Sequence, residues 1–117
     1  MPRYQLVTAL LTLVVLVACS NDVTFENQSS SPVHDVRWVL EEEPEVVISV
    51  GVVAPRTSMP TSLPSGFGES SLWVGALRGS ELLLTECGYI EAGGSYSAAA
   101  SIQAEGPITC KVSLNGY

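Results

Sequence analysis

Ser70-Ser71-Leu72-Trp73-Val74-Gly75-Ala76-Leu77-Arg78-Gly79-Ser80-Glu81-Leu82-Leu83-Leu84-Thr85-Glu86-Cys87 decides the fold class. From Ser70 to Arg78, Leu72, Val74 and Ala76 fall on one side and Trp73, Gly75 and Leu77 on the other. That is the period of a strand, whose successive side chains point to opposite faces. Gly79-Ser80 is a two-residue connection compatible with a tight hairpin. Glu81 to Cys87 then returns as the partner strand.

The same pattern extends in both directions. Val33 to Glu41 reads as a strand with His34, Val36, Trp38 and Leu40 on one face and Asp35, Arg37, Val39 and Glu41 on the other, which makes Trp38 a core anchor. Glu41-Glu42-Glu43-Pro44-Glu45 closes it as a charged tip, and the β-branched run Val46 to Val53 completes a hairpin. So apolar a run is expected to be a central or well-covered strand. Val23 to Asn27 is a first strand, followed by the turn cluster Asn27-Gln28-Ser29-Ser30-Ser31-Pro32. After a turn at Ala54 to Ser58, Met59 to Glu69 carries Pro60, Pro64, Gly66 and Gly68 and is expected to be loop or broken edge strand. Gly88 to Gly94 reads as a bend with Tyr89 and Ile90 packed beneath it. Ser95 to Gln103 and Ile108 to Leu114 are the last two strands, with Glu105-Gly106-Pro107 turning between them.

About seven short strands, frequent turn signals and no helical period predict an all-β fold. The expected form is a small antiparallel β-sandwich, resembling the immunoglobulin-like or transthyretin-like sandwiches in general shape, with a small β-barrel as the alternative. The Cys, Trp, Cys order of immunoglobulin domains is not met, because Trp38 and Trp73 both precede Cys87.

The N-terminus reads as an address. Met1 to Gln5 includes Arg3, and Leu6 to Ala18 is uncharged throughout. A positive start, a short apolar run and a small residue at its end are the parts of a secretory signal. As a helix the apolar run rises about 20 Å, short of the roughly 30 Å hydrocarbon core. Leu16-Val17-Ala18-Cys19 resembles the lipobox of bacterial lipoproteins. The resemblance implies cleavage before Cys19, a diacylglyceryl group on its sulfur, and a chain divided into signal peptide 1–18, lipidated tether 19–22 and β-domain 23–117. Two or three acyl chains anchor firmly where one is marginal. The same resemblance places the protein in the bacterial cell envelope, and Ser20 after the cysteine leans towards the outer membrane, facing periplasm or cell surface. In such a protein the triplet Asn27-Gln28-Ser29 is a chance glycosylation match. With Cys19 occupied by lipid, Cys87 and Cys110 remain as a pair, which an oxidising compartment favours as a disulfide.

Composition narrows the function. The chain carries a formal charge of −7, which disfavours nucleic acid and anionic lipid as partners. His34-Asp35 is the one place a catalytic base could begin, but adjacent strand residues face opposite ways. Glu41, Glu42, Glu43 and Glu45 lack the spacing of a calcium loop and read as a solvated tip that also suits a basic partner. Gly66-Phe67-Gly68 is no phosphate cradle, since no Lys or helix follows, and Phe67 is either a buried staple or an exposed binding aromatic. With one His and no Cys-x-x-Cys pair, no metal and no cofactor is expected. The expectation is a non-enzymatic envelope lipoprotein that binds a protein or cell-wall partner, such as a hydrolase inhibitor or immunity protein. A structural or adhesive surface module is the alternative, and a wall or carbohydrate hydrolase with paired carboxylates ranks behind both.

Replacing Cys19 by Ser is expected to abolish labelling with radioactive palmitate and release the protein from membranes. Continued labelling of Cys19→Ser would refute the lipobox.

Overall fold

The computed structural model describes residues 21–42, 45–64, 68–91 and 93–116. They form eight strands: β1 (Asn21–Asn27), β2 (Val33–Glu41), β3 (Val46–Val53), β4 (Thr57–Leu63), β5 (Ser70–Arg78), β6 (Glu81–Ile90), β7 (Ser95–Ile102) and β8 (Thr109–Gly116). Two four-stranded sheets, β4-β1-β7-β8 and β3-β2-β5-β6, pack face to face as a sandwich. Each sheet ends in free edges, so the barrel alternative does not hold. An immunoglobulin sandwich places strands 1-2-5-4 in one sheet. The order here is different: four strands face four.

The all-β sandwich forms as expected, and the structure refines or corrects the sequence reading at several points. The pairing is predominantly antiparallel, as expected, with one parallel pair: β1 runs parallel to β7 while pairing antiparallel with β4. The count is eight because Thr57–Leu63, around Pro60, forms a full edge strand against β1. Pro60 is tolerated there because an edge strand has one side without ladder bonds. Asn21 and Asp22, read as tether, already belong to β1, and Asn21 Oδ1 accepts a bond from the Tyr96 amide at 2.9 Å. Finally, β3 is not central. It is the outer strand of its sheet, and Val47 and Val52 are 53% and 56% exposed. Its β-branched composition specified an extended backbone but not what would lie beside it.

Bulges shift the phase of the alternation in two strands. In β2 three steps from His34 to Arg37 match two steps from Leu77 to Gly75 on β5. The extra residue turns both Val33 and Val36 inwards and leaves His34 and Asp35 exposed. Asp35 takes a positive φ of 50° there, a conformation Asp tolerates better than most residues. In β6 the pairing jumps from Trp73↔Glu86 to Leu72↔Gly88, so Cys87 is the extra residue. The strand therefore runs through the expected bend to Ile90, which is buried, while Tyr89 is 52% exposed and does not pack beneath a bend. At Gly88 the backbone takes φ 156°, and a Cβ there would press on Val112 at 3.3 Å. The hairpin at Gly79-Ser80 forms as expected, with Gly79 at φ 63°, the residue type its first central position favours.

The core lies between the sheets. Phe25, Trp38, Leu40, Leu72, Val74, Ile90, Ile102 and Ile108 are its largest buried members. Trp38 is fully buried as expected. Three cross-ties hold the sandwich at its margins. Asn27, fully buried, donates to the carbonyls of Ser31 and Val53 at 2.8 and 3.0 Å and accepts from the amide and hydroxyl of Ser29, fastening the β1–β2 crossover to the end of β3. Its amide is therefore committed to the fold. Arg78 donates to the carbonyls of Gln103 and Gly106 and pairs with Glu81 at 2.7 Å. The Cys87–Cys110 disulfide joins edge strand β6 of one sheet to edge strand β8 of the other, with Cα atoms 4.8 Å apart.

Removing that bridge should matter in so small a domain. Cross-linking a loop of this length stabilises by about 3 kcal/mol in the chain-entropy account. Cys110→Ala is expected to lower the melting temperature by at least about 10 °C under oxidising conditions, read by circular dichroism.

Candidate functional site

The outward face of the β3-β2-β5-β6 sheet collects side chains that are far apart in sequence. Pairing places Val47 beside Val39, Val39 beside Trp73 and Trp73 beside Glu86. The next row runs Ser49, Arg37, Gly75, Leu84. At the other end Glu41 lies opposite Ser71, and Ser71 opposite Tyr89. An open depression of about 400 Å³ crosses these rows, lined by Arg37, Val39, Glu41, Glu45, Trp73 and Leu84.

Two contacts set its shape. The Trp73 indole Nε1 donates to Glu41 Oε2 at 2.6 Å, fixing the ring against the sheet. The two residues are diagonal neighbours across β2 and β5, within reach for long side chains. Arg37 occupies the space that Gly75 leaves: a Cβ at Gly75 would stand 3.3 Å from Arg37 Cζ and 3.4 Å from Leu84 Cδ1. Arg37 Nη1 is further held by the Asp35 carbonyl at 3.1 Å. The result is an aromatic ring, a guanidinium and two carboxylates around one hollow, with Leu84, 57% exposed, at its margin. Leu82 and Tyr89 continue the exposed apolar surface along β6.

Tyr89 closes the acidic end. Its hydroxyl donates to Glu69 Oε2 at 2.5 Å. That bond, with some desolvation and the negative charges of Glu69 and Glu91, holds the phenol above its ordinary value of 10.0. Ionising it would lose the bond and set like charges side by side.

Of the residues singled out from sequence, Glu41 and Glu45 meet in the depression, and Glu42 extends towards Gly68. Cys87 and Cys110 are bonded. Cys19, Glu43, Phe67 and the signal peptide 1–18 lie outside the described residues. Among the described residues no group of three or more His, Cys, Asp or Glu side chains could hold a metal ion. Sequence reasoning overlooked Arg37, Val39, Trp73 and Leu84 as site residues. The signal lay in the two outward sets Arg37, Val39, Glu41 and Trp73, Gly75, Leu77, which only the strand register brings together. A second hollow, about 280 Å³, lies on the other sheet and is lined by Glu26, Gln28, Lys111 and short side chains.

No family model matches the sequence, and no curated protein matches it either. An NMR structure of a protein from Eubacterium rectale is similar in fold, with a TM-score of 0.51 at 12% identity over 84% of this chain and 90% of that one.

The Tyr89–Glu69 contact has a direct readout. Glu69→Gln should move the Tyr89 part of the phenolate absorbance titration to lower pH. Superimposable curves for the two proteins would show that the bond does not form in solution.

Proposed function

We propose that this chain is a lipid-anchored protein of the bacterial cell envelope and that its domain is a non-enzymatic binding module. The outward face of the β3-β2-β5-β6 sheet is its working surface, and its partner is a basic protein, in the manner of a hydrolase inhibitor or an immunity protein. The observation that carries this reading is the hollow at Trp73, Arg37, Glu41 and Glu45.

A soluble domain rarely shows a contiguous apolar face without using it. Here Val47, Leu82, Leu84 and Tyr89 are more than half exposed around a fixed Trp ring. Aromatic and Arg side chains dominate the energetics of protein interfaces when a partner desolvates them. The acidic residues Glu41, Glu45, Glu69 and Glu86 border this surface, against Arg37 as the cation within it. Such a rim steers a positively charged protein and repels an acidic one. The lipobox resemblance of Leu16-Val17-Ala18-Cys19 supports envelope location. A disulfide is in keeping with an oxidising compartment.

Binding of the full-length chain to basic envelope hydrolases, measured by calorimetry at two ionic strengths, tests the proposal. Trp73→Ala is expected to weaken affinity at least about tenfold, the effect of a central aromatic anchor. Glu41→Gln with Glu45→Gln should reduce the salt dependence. No specific partner at low or moderate salt, or variants that bind like the parent, would sink it.

A further inference from the structure

We propose that this protein pairs reversibly with a second copy of itself along β3, edge to edge and antiparallel, so that two outward sheets become one eight-stranded sheet. The inference rests on the strand edges and not on the hollow at Trp73.

The four edge strands differ in how they are guarded. β6 carries Glu81 and Glu86 and is bridged to β8, which carries Lys111. β4 carries Pro60, which has no N–H to donate. β3, Val-Val-Ile-Ser-Val-Gly-Val-Val, has neither a charge nor a proline. An apolar edge with free backbone N–H and C=O groups is a template for another strand, and proteins that must avoid pairing place charges or proline there.

Charge points to the second copy as the occupant. β3 and β4 are the free edges on the same side of the sandwich. Neither strand contains any of the five basic or twelve acidic residues of the chain. Two molecules of charge −7 repel over most of their surface. This side is where they can meet without setting like charges together. Val47, Val52 and Met59 are its exposed apolar residues.

The geometry is self-complementary. Gly51, at φ 91°, and the unpaired Val50 lie in a bulge, which leaves Val46–Ser49 as the regular part of the strand. Antiparallel pairing of that segment about Ile48 sets Ile48 against Ile48 of the second copy and Val47 against Ser49. A two-fold interface of this kind closes on itself and does not propagate. Four residues of strand span about 13 Å. The contact is therefore smaller than a stable, specific interface needs and falls in the range of weak, transient encounters. A reversible dimer is what that contact sustains.

The test uses the full-length chain in membranes and in mild detergent. Ser49→Cys brings two thiols to diagonal positions, about 7–8 Å apart, so a short bis-maleimide should give a covalent dimer. The exposed Ser113→Cys on β8 should give none. Sedimentation equilibrium should show a concentration-dependent dimer that is lost in Val47→Lys with Val52→Lys. Retention of the Cys87–Cys110 bridge and of the parent melting temperature would show that variant to be folded, and Ser49→Glu serves as a second disrupting change. A monomer at all concentrations, equal cross-linking at Ser49→Cys and Ser113→Cys, or a dimer that survives both folded variants would overturn the proposal. Loss of the dimer with Trp73→Ala alone would overturn it too, by moving the contact to the hollow.

Discussion

The packing of two four-stranded sheets through one apolar layer is the constraint on which everything else depends. Trp38, Phe25, Leu40 and Leu72 lie fully inside that layer. A domain this small buries a modest fraction of its surface, so the margins of the layer matter as much as its centre. The disulfide closes the β6/β8 side, and the Thr85 hydroxyl donating to the Ile108 carbonyl at 3.0 Å reinforces it. The bulge in β6 makes this possible, because the extra residue is Cys87 itself. Arg78 and Asn27 tie turns of one sheet to the other. The β3/β4 side has no covalent closure among the described residues.

That asymmetry gives the molecule two unlike long sides. One is bridged and its strands carry charge; the strands of the other carry none. Between them, the outward face of the β3-β2-β5-β6 sheet presents rigid side chains on strand backbones. The Trp73 ring is held by the Glu41 carboxylate, and the Arg37 guanidinium is seated over Gly75. Strand-borne groups of this kind are better pre-organised than groups on loops. The described residues offer an aromatic platform with charged margins, and the carboxylates at its edge are exposed.

Much of this was legible from residues alone. Strict alternation in Ser70–Arg78 and Val33–Glu41 yields strands with those same bounds, and the Gly79-Ser80 hairpin follows from turn chemistry. Cysteine arithmetic pairs Cys87 with Cys110. These succeed because they rest on local physics: side-chain direction, backbone φ and the count of thiols. Trp38 as a core anchor also follows, since an indole amid Val36 and Leu40 on one face has one favourable side to point to.

What the tertiary structure alone decided is non-local. Period-two alternation says which residues share a face but not which strand lies alongside, so β3 reads as central when it is an edge. It says nothing of a parallel partner recruited from the far end of the chain, as β7 is for β1. A single inserted residue reverses the phase, which is why His34 leaves the face it was assigned. The hollow at Trp73 joins residues 37, 39, 41, 45, 73 and 84, and its members become neighbours only once β2, β5 and β6 have taken their register. Composition determined the strands; the packing of two sheets determined which of their faces and edges met solvent.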